Sequence, residues 1–170
     1  MPFNKLTIGN KAPECVNVVI EIPKGGVVKY ELDKDTNCIF VDRILKTPMA
    51  YPINYGYIPG THADDGDPLD AMVLGDYAFA PGSVVECEAV GVMMMEDESG
   101  VDEKILMRPK AKIDASLAHI NDIEDVSSLT KQKIEHFFQR YKDLDEGKWA
   151  KTQGYQNRDV ALAIIRKYML

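Results

Sequence analysis

Residues 16–22 read Val-Asn-Val-Val-Ile-Glu-Ile, which puts Val18, Ile20 and Ile22 on one side of an extended chain and Glu21 on the other. That period of two predicts a half-buried strand. Pro23-Lys24-Gly25-Gly26 reads as a turn. Alternation resumes over residues 27–33, with Val28, Tyr30 and Leu32 on one side and Lys29, Glu31 and Asp33 on the other. A third strand is expected at 38–45, after the turn Asp33-Lys34-Asp35-Thr36-Asn37. Residues 69–74 are short and apolar, Pro81-Gly82 introduces a long strand at 83–95, and Asp97-Glu98-Ser99-Gly100 turns again. The strand expected at 102–108 aligns Asp102, Lys104, Leu106 and Arg108 on one face. Antiparallel strands at this spacing favour a small closed barrel over an open sheet.

Beyond residue 114 the period lengthens. Ile134, Phe137, Phe138 and Tyr141 recur at helical spacing within 130–144, and Gly147 follows shortly after. Asn157 is placed to cap a last helix whose buried stripe is Val160, Ala161, Ile164, Ile165 and Tyr168. No repeat, low-complexity tract or linker divides the sequence, so residues 1–170 are expected to form one domain. The expected class is α+β: a small closed antiparallel β-barrel core with helices packed on its outside.

Composition narrows the partners. Net charge is −7, from 27 acidic and 20 basic residues, which disfavours a general nucleic-acid binder. The 45% apolar fraction is ordinary for a soluble globular chain. Cys15, Cys38 and Cys87 are widely spaced and form no CxxC pair, and the start MPFNKLTIGN lacks the apolar run of a signal peptide. The longest apolar run, residues 89–95, falls far short of the ~20 residues a spanning helix needs. A reducing, cytoplasmic compartment without membrane attachment is expected.

The chemistry concentrates in Asp65-Gly66-Asp67-Pro68-Leu69-Asp70, which follows closely on Tyr51-Pro52-Ile53-Asn54-Tyr55-Gly56-Tyr57. Carboxylates this close repel one another unless a cation sits among them, and hard divalent ions prefer such oxygen ligands. The loop lacks the glycine and closing glutamate of an EF-hand, although a calcium-stabilised turn remains a plain structural alternative. Lys29 with Glu31, and Asp102 with Lys104, each place an acid and a base two positions apart on a strand face. Such pairs suit a metal beside a phosphate, and they also suit ordinary cross-strand salt bridging. Arg43, on an apolar strand expected in the barrel, needs an anionic partner. Asp42 is expected on the opposite face, which leaves another carboxylate or a phosphate. His62, His119 and His136 are scattered, and no zinc, P-loop or GxSxG signature occurs. Two other readings compete: a barrel that stacks single-stranded nucleic acid on its tyrosines, and a structural calcium protein.

The chain resembles the family I soluble inorganic pyrophosphatases of the bacterial type. DGDPLDA (65–71) is similar to that family's Asp-x-Asp-Pro-apolar-Asp-apolar signature. VVIEIPKGG (18–26), KYELDK (29–34), FVDRIL (40–45), YPINYGYIPGT (51–61), PGSVVECEAVGV (81–92) and HFFQRYKDLDEGKW (136–149) extend the likeness over about residues 14–155. The resemblance implies an OB-like barrel and magnesium-dependent hydrolysis of diphosphate to two phosphates. It further implies direct in-line attack of a metal-activated water, with no phosphoenzyme. Asp65, Asp70, Asp97 and Asp102 then resemble metal ligands, Glu21 and Glu31 complete the metal-binding set, and Asp67 resembles the group that takes the water's proton. Lys29, Arg43 and Tyr55 match positions acting in catalysis. Substrate contacts are implied for Lys29, Glu31, Arg43, Tyr55, Lys104, Tyr141 and Lys142. The same resemblance implies several Mg2+ ions per site, with Mn2+ or Zn2+ as substitutes and Ca2+ as inhibitor, and a homohexamer built as two trimers. Asp64 adds a carboxylate for which the resemblance supplies no role, and Arg140 stands where some relatives carry a second histidine.

Overall fold

The computed structural model describes residues 5–33 and 35–170; the first four residues and Lys34, inside the turn expected at 33–37, lie outside the described residues. The strands in chain order are β1 (Val16–Ile22), β2 (Val28–Asp33), β3 (Cys38–Ile44), β4 (Asn54–Tyr57), β5 (Asp70–Val73), β6 (Val84–Asp97), β7 (Gly100–Val101), β8 (Lys104–Pro109) and β9 (Ala150–Gln156). Helix α1 spans Ser128–Arg140 and α2 spans Arg158–Tyr168. Strands β1, β4, β5, β8 and β6 bond in that order, and β6 returns to β1, so the ring closes. The class is α+β with an OB-like closed core, as expected. One pairing in the ring departs from the antiparallel expectation, because β5 and β8 run parallel.

Alternate side chains of the ring feed two cores. Met72 on β5 and Leu106 on β8 join Phe137 and Phe138 of α1, while Ala71, Val73, Ile105 and Met107 join Ala161 and Ile165 of α2. Each such large apolar side chain, fully buried, contributes about 1.5–3 kcal/mol. Met93 and Met95 fill the α1-side core, and Met94 packs against the other. Ser127 caps α1 by accepting the Thr130 N–H, and Asn157 caps α2 by accepting that of Val160.

Irregularities in the strands overturn three local expectations. Register slips between Ile20 and Ile22, leaving Glu21 as the extra residue of a bulge opposite Tyr55 and Gly56. Ile22 therefore lies in the α1-side core, while Val18 and Ile20 lie in the α2-side core. Strands β2 and β3 form their own two-stranded sheet outside the ring, so Arg43 is not in the barrel wall. The exposure of Phe40, Val41 and Ile44 agrees with that placement. Strand β9, unforeseen because Ala-Lys-Thr-Gln-Gly-Tyr-Gln shows no apolar alternation, pairs along β6. Gly56 is required where it stands: a Cβ there would fall 1.8 Å from the Val19 carbonyl oxygen.

Candidate active site

The chain reverses tightly before β5. Thr61 Oγ1 donates to the Ile58 carbonyl at 2.6 Å and accepts the Leu69 N–H at 2.9 Å, pinching the ends of the acidic loop together. Within it the Ala63 N–H donates to the Asp67 carbonyl at 2.7 Å, and the Asp67 N–H donates to Asp65 Oδ1 at 2.9 Å. Gly66 holds the left-handed backbone, φ 90°, that this reversal needs. Asp70 then opens β5 opposite Tyr57 of β4 and Lys104 of β8.

That register makes the centre of the site. Lys104, 2% exposed, donates to Asp70 Oδ2 at 2.6 Å, to both Asp102 oxygens at 3.0 Å and to Tyr55 Oη at 3.0 Å. Burial disfavours its charge, but Asp70 and Asp102 outweigh burial and hold the ammonium above its usual range. Asp102 lies just outside β8, which begins at Lys104 rather than at 102. The Asp102 N–H bonds to the Met95 carbonyl at 2.9 Å, closing the β6–β7 hairpin so that Asp97 and Asp102 come together. Lys142, just past α1, donates to Asp97 Oδ2 at 2.7 Å and to both Glu98 oxygens at 3.2 Å.

The β2–β3 sheet supplies the facing wall. Lys29 and Arg43 are direct partners across it, and the register slip beside Lys29 leaves Asp42 as the extra residue. The bulge turns Asp42 to their side, contrary to the expectation that it points away. Asp42 Oδ2 lies 3.0 Å from Arg43 Nη1 and 3.4 Å from Lys29 Nζ, and Lys29 also pairs with Glu31. Arg43 Nε is buried and, among the described residues, has no hydrogen-bond partner. Glu21, turned in by its own bulge, accepts the Leu32 N–H at 2.9 Å. Burial pushes its carboxyl up to about 7, against that bond, with Asp70 and Glu31 adding to the rise. Burial likewise raises Tyr55 and Tyr141, so both phenols remain neutral donors at ordinary pH.

Every residue implicated from sequence lines this one cavity of about 460 Å³: Glu21, Lys29, Glu31, Arg43, Tyr55, Asp65, Asp67, Asp70, Asp97, Asp102, Lys104, Tyr141 and Lys142. Asp42, Tyr51, Glu98 and Lys148 line it too and were not foreseen as site residues. The one signal for Asp42 was its position beside Arg43; the bulge that joins them leaves no mark in the alternation. Among the described residues, no three acidic, histidine or cysteine side chains converge on a ready-made metal shell. The acids are instead divided among ammonium and guanidinium groups, and the donor set is all oxygen. This chemistry fits hard divalent cations.

A family model described as inorganic pyrophosphatase matches residues 18–170. The chain belongs to the inorganic pyrophosphatase family. It is thus an enzyme of the hydrolase class, a diphosphatase. An inorganic pyrophosphatase of Rickettsia conorii is 51% identical over 153 residues, covering 89% of this chain and 88% of that protein. One from Gluconobacter oxydans is 48% identical, covering 97% and 95% respectively. Among solved structures, an inorganic pyrophosphatase from Helicobacter pylori superimposes with a TM-score of 0.93 at 48% identity, covering 96% of each chain. That from Thermus thermophilus gives 0.94 at 46% identity, covering 98% of this chain and 95% of the other. No helix among the described residues is long and apolar enough to cross a membrane.

Proposed function

We propose that this pyrophosphatase hydrolyses inorganic diphosphate to two phosphates in a magnesium-dependent reaction, by direct in-line attack of water and without a phosphoenzyme. The observation that carries this reading is the single cavity in which carboxylates from the 65–70 loop and the β6–β8 region face cations from β2, β3, β8 and the end of α1. Asp65, Asp70, Asp97 and Asp102 would hold the metals, with Glu21 and Glu31 completing the set. Magnesium, when bound, supplies the positive charge that polarises both phosphoryl groups and makes water acidic enough to ionise near neutral pH. Mn2+ or Zn2+ would substitute for it, and Ca2+, larger and looser in geometry, would occupy the site and inhibit.

The side chains divide the remaining work. Asp67 takes the proton of the attacking water, near Tyr55. Lys29, Arg43, Lys104, Tyr141 and Lys142 bind phosphate oxygens and stabilise charge as the bridging P–O bond breaks. The Nε–H of Arg43 supports this, since a buried donor without a protein acceptor suits an anion. Glu31 helps to orient Lys29, its ion-pair partner. Residues 1–170 act as one domain in the cytoplasm, as a homohexamer of two trimers, with no nucleic acid or membrane partner. Stacking of nucleobases is disfavoured because Tyr51 and Tyr55 are only 2% and 8% exposed and carboxylates surround them.

Phosphate release tests the proposal. Pyrophosphate should be hydrolysed with magnesium, not after chelation, not with calcium as sole divalent ion, and far faster than ATP. Robust turnover with calcium alone would count against the metal assignment, and acid-trapped phosphoprotein would exclude direct attack. Asp70→Asn should weaken magnesium binding about 10–100-fold, with excess magnesium restoring part of the rate. Unchanged magnesium dependence of hydrolysis would remove Asp70 from the ligand set.

A further inference from the structure

The acidic loop is held from one side by Thr61 and from the other by the end of the chain. The His62 N–H donates to the Tyr168 carbonyl at 2.9 Å, and the Leu170 N–H donates to the Gly60 carbonyl at 3.1 Å. Thr61 and Met169 are paired between them as an antiparallel bridge. Beyond this backbone pairing, the Tyr168 hydroxyl donates to Asp64 Oδ2, and Lys167 Nζ lies 3.2 Å from the same oxygen and 2.6 Å from Tyr168 Oη. The Tyr168 ring itself is buried in the α2-side core, 7% exposed. Tyr168, the last residue of α2, thus ties that helix to Asp64, the residue immediately before Asp65.

We propose that the C-terminal residues Tyr168 to Leu170 form a clasp that positions the acidic loop, with Tyr168 and Asp64 as its latch. This rests on the metal-binding and proton-accepting roles assigned to Asp65 and Asp67. The physical case is the contrast between function and support. Asp65 and Asp67 lie on an exposed loop, where ordering carboxylates that repel one another costs conformational entropy. An exposed ion pair alone would contribute little to that order. A phenol anchored in a packed core is different, because its hydroxyl is already fixed when it meets Asp64. Tyr168 and Asp64 are not among the residues that line the cavity, so they are positioning residues. The role left open for Asp64 is filled by a contact with the far end of the sequence.

The test uses the full chain with Tyr168→Phe and Asp64→Ala, which break the same bond from opposite ends. In metal-free protein, amide hydrogen exchange at Ala63, Gly66 and Asp67 should accelerate by about tenfold, the worth of one net hydrogen bond. Exchange in β5 and β8 should stay as in the wild type. Calorimetric titration with magnesium alone should show affinity lowered about tenfold in both variants. The double variant should be no worse than the worse single, because the two groups act as one unit. Unchanged loop exchange in both variants overturns the clasp. Faster exchange with unchanged magnesium affinity overturns its positioning role. Both readouts are free of pyrophosphate, so a wild-type protein that binds magnesium and fails to hydrolyse would sink the proposed reaction and leave the clasp standing.

Discussion

Asp67→Asn is expected to lower turnover on pyrophosphate by about 10²–10⁴-fold, the usual contribution of a placed general base. Asparagine keeps the size of aspartate but is neutral, carries an amide NH2 in place of one carboxylate oxygen, and cannot take up the water's proton. The backbone contacts of position 67, an N–H to Asp65 and a carbonyl accepting from Ala63, survive the change. Asp67 lies on the exposed loop, so stability should move by no more than about 0.5 kcal/mol. Steady-state kinetics paired with thermal melting separates the two effects. Wild-type turnover would reassign the base, and Asp65 would be the next residue to examine.

Lys104→Met is expected to produce the largest loss of stability in the metal-free protein. Lys104 is 2% exposed and is the ammonium that Asp70 and Asp102 share. Removing one partner of a buried ion pair strands the other, at a cost of about 3–5 kcal/mol. Asp70 and Asp102 retain 28% and 20% side-chain exposure, which favours the lower end of that range. For a chain of this size, ~3 kcal/mol corresponds to a fall of roughly 6–12 °C in Tm. Magnesium should recover part of the loss, since it returns positive charge to the same carboxylates. Differential scanning calorimetry with and without magnesium checks both statements. A Tm within error of wild type in chelator would mean that the two aspartates do not depend on Lys104.

The gap between the two readings of Arg43 shows where sequence reasoning stops. Strict alternation along residues 39–45 places Asp42 and Arg43 on opposite faces, and that inference is sound for a regular strand. One extra residue in the β2–β3 pairing reverses it, and pairing is a property of two strands rather than one. Glu21 repeats the lesson on β1, where a single slip turns its carboxylate towards the cavity and sends Ile22 to a different core from Ile20. Strand β9 was illegible for another reason. It is an edge segment added to β6, held by backbone hydrogen bonds that carry no signature in side-chain pattern.

From the sequence alone came four of the five ring strands, both helices, the Asn157 cap and the acidic loop, while β4 and the Ser127 cap of α1 went unread. Those features rest on local physics (hydrophobic period, turn chemistry, capping and the unusual density of carboxylates), whereas the roles of the site residues came with the family resemblance. Tertiary structure alone decided which strands close the ring, the parallel join of Asp70 to Lys104, the inward turn of Asp42 and Glu21, and the grip of Tyr168 on Asp64. Each of these depends on register between segments distant in sequence. Register is set by the packing of the whole chain, to which no single segment holds the key.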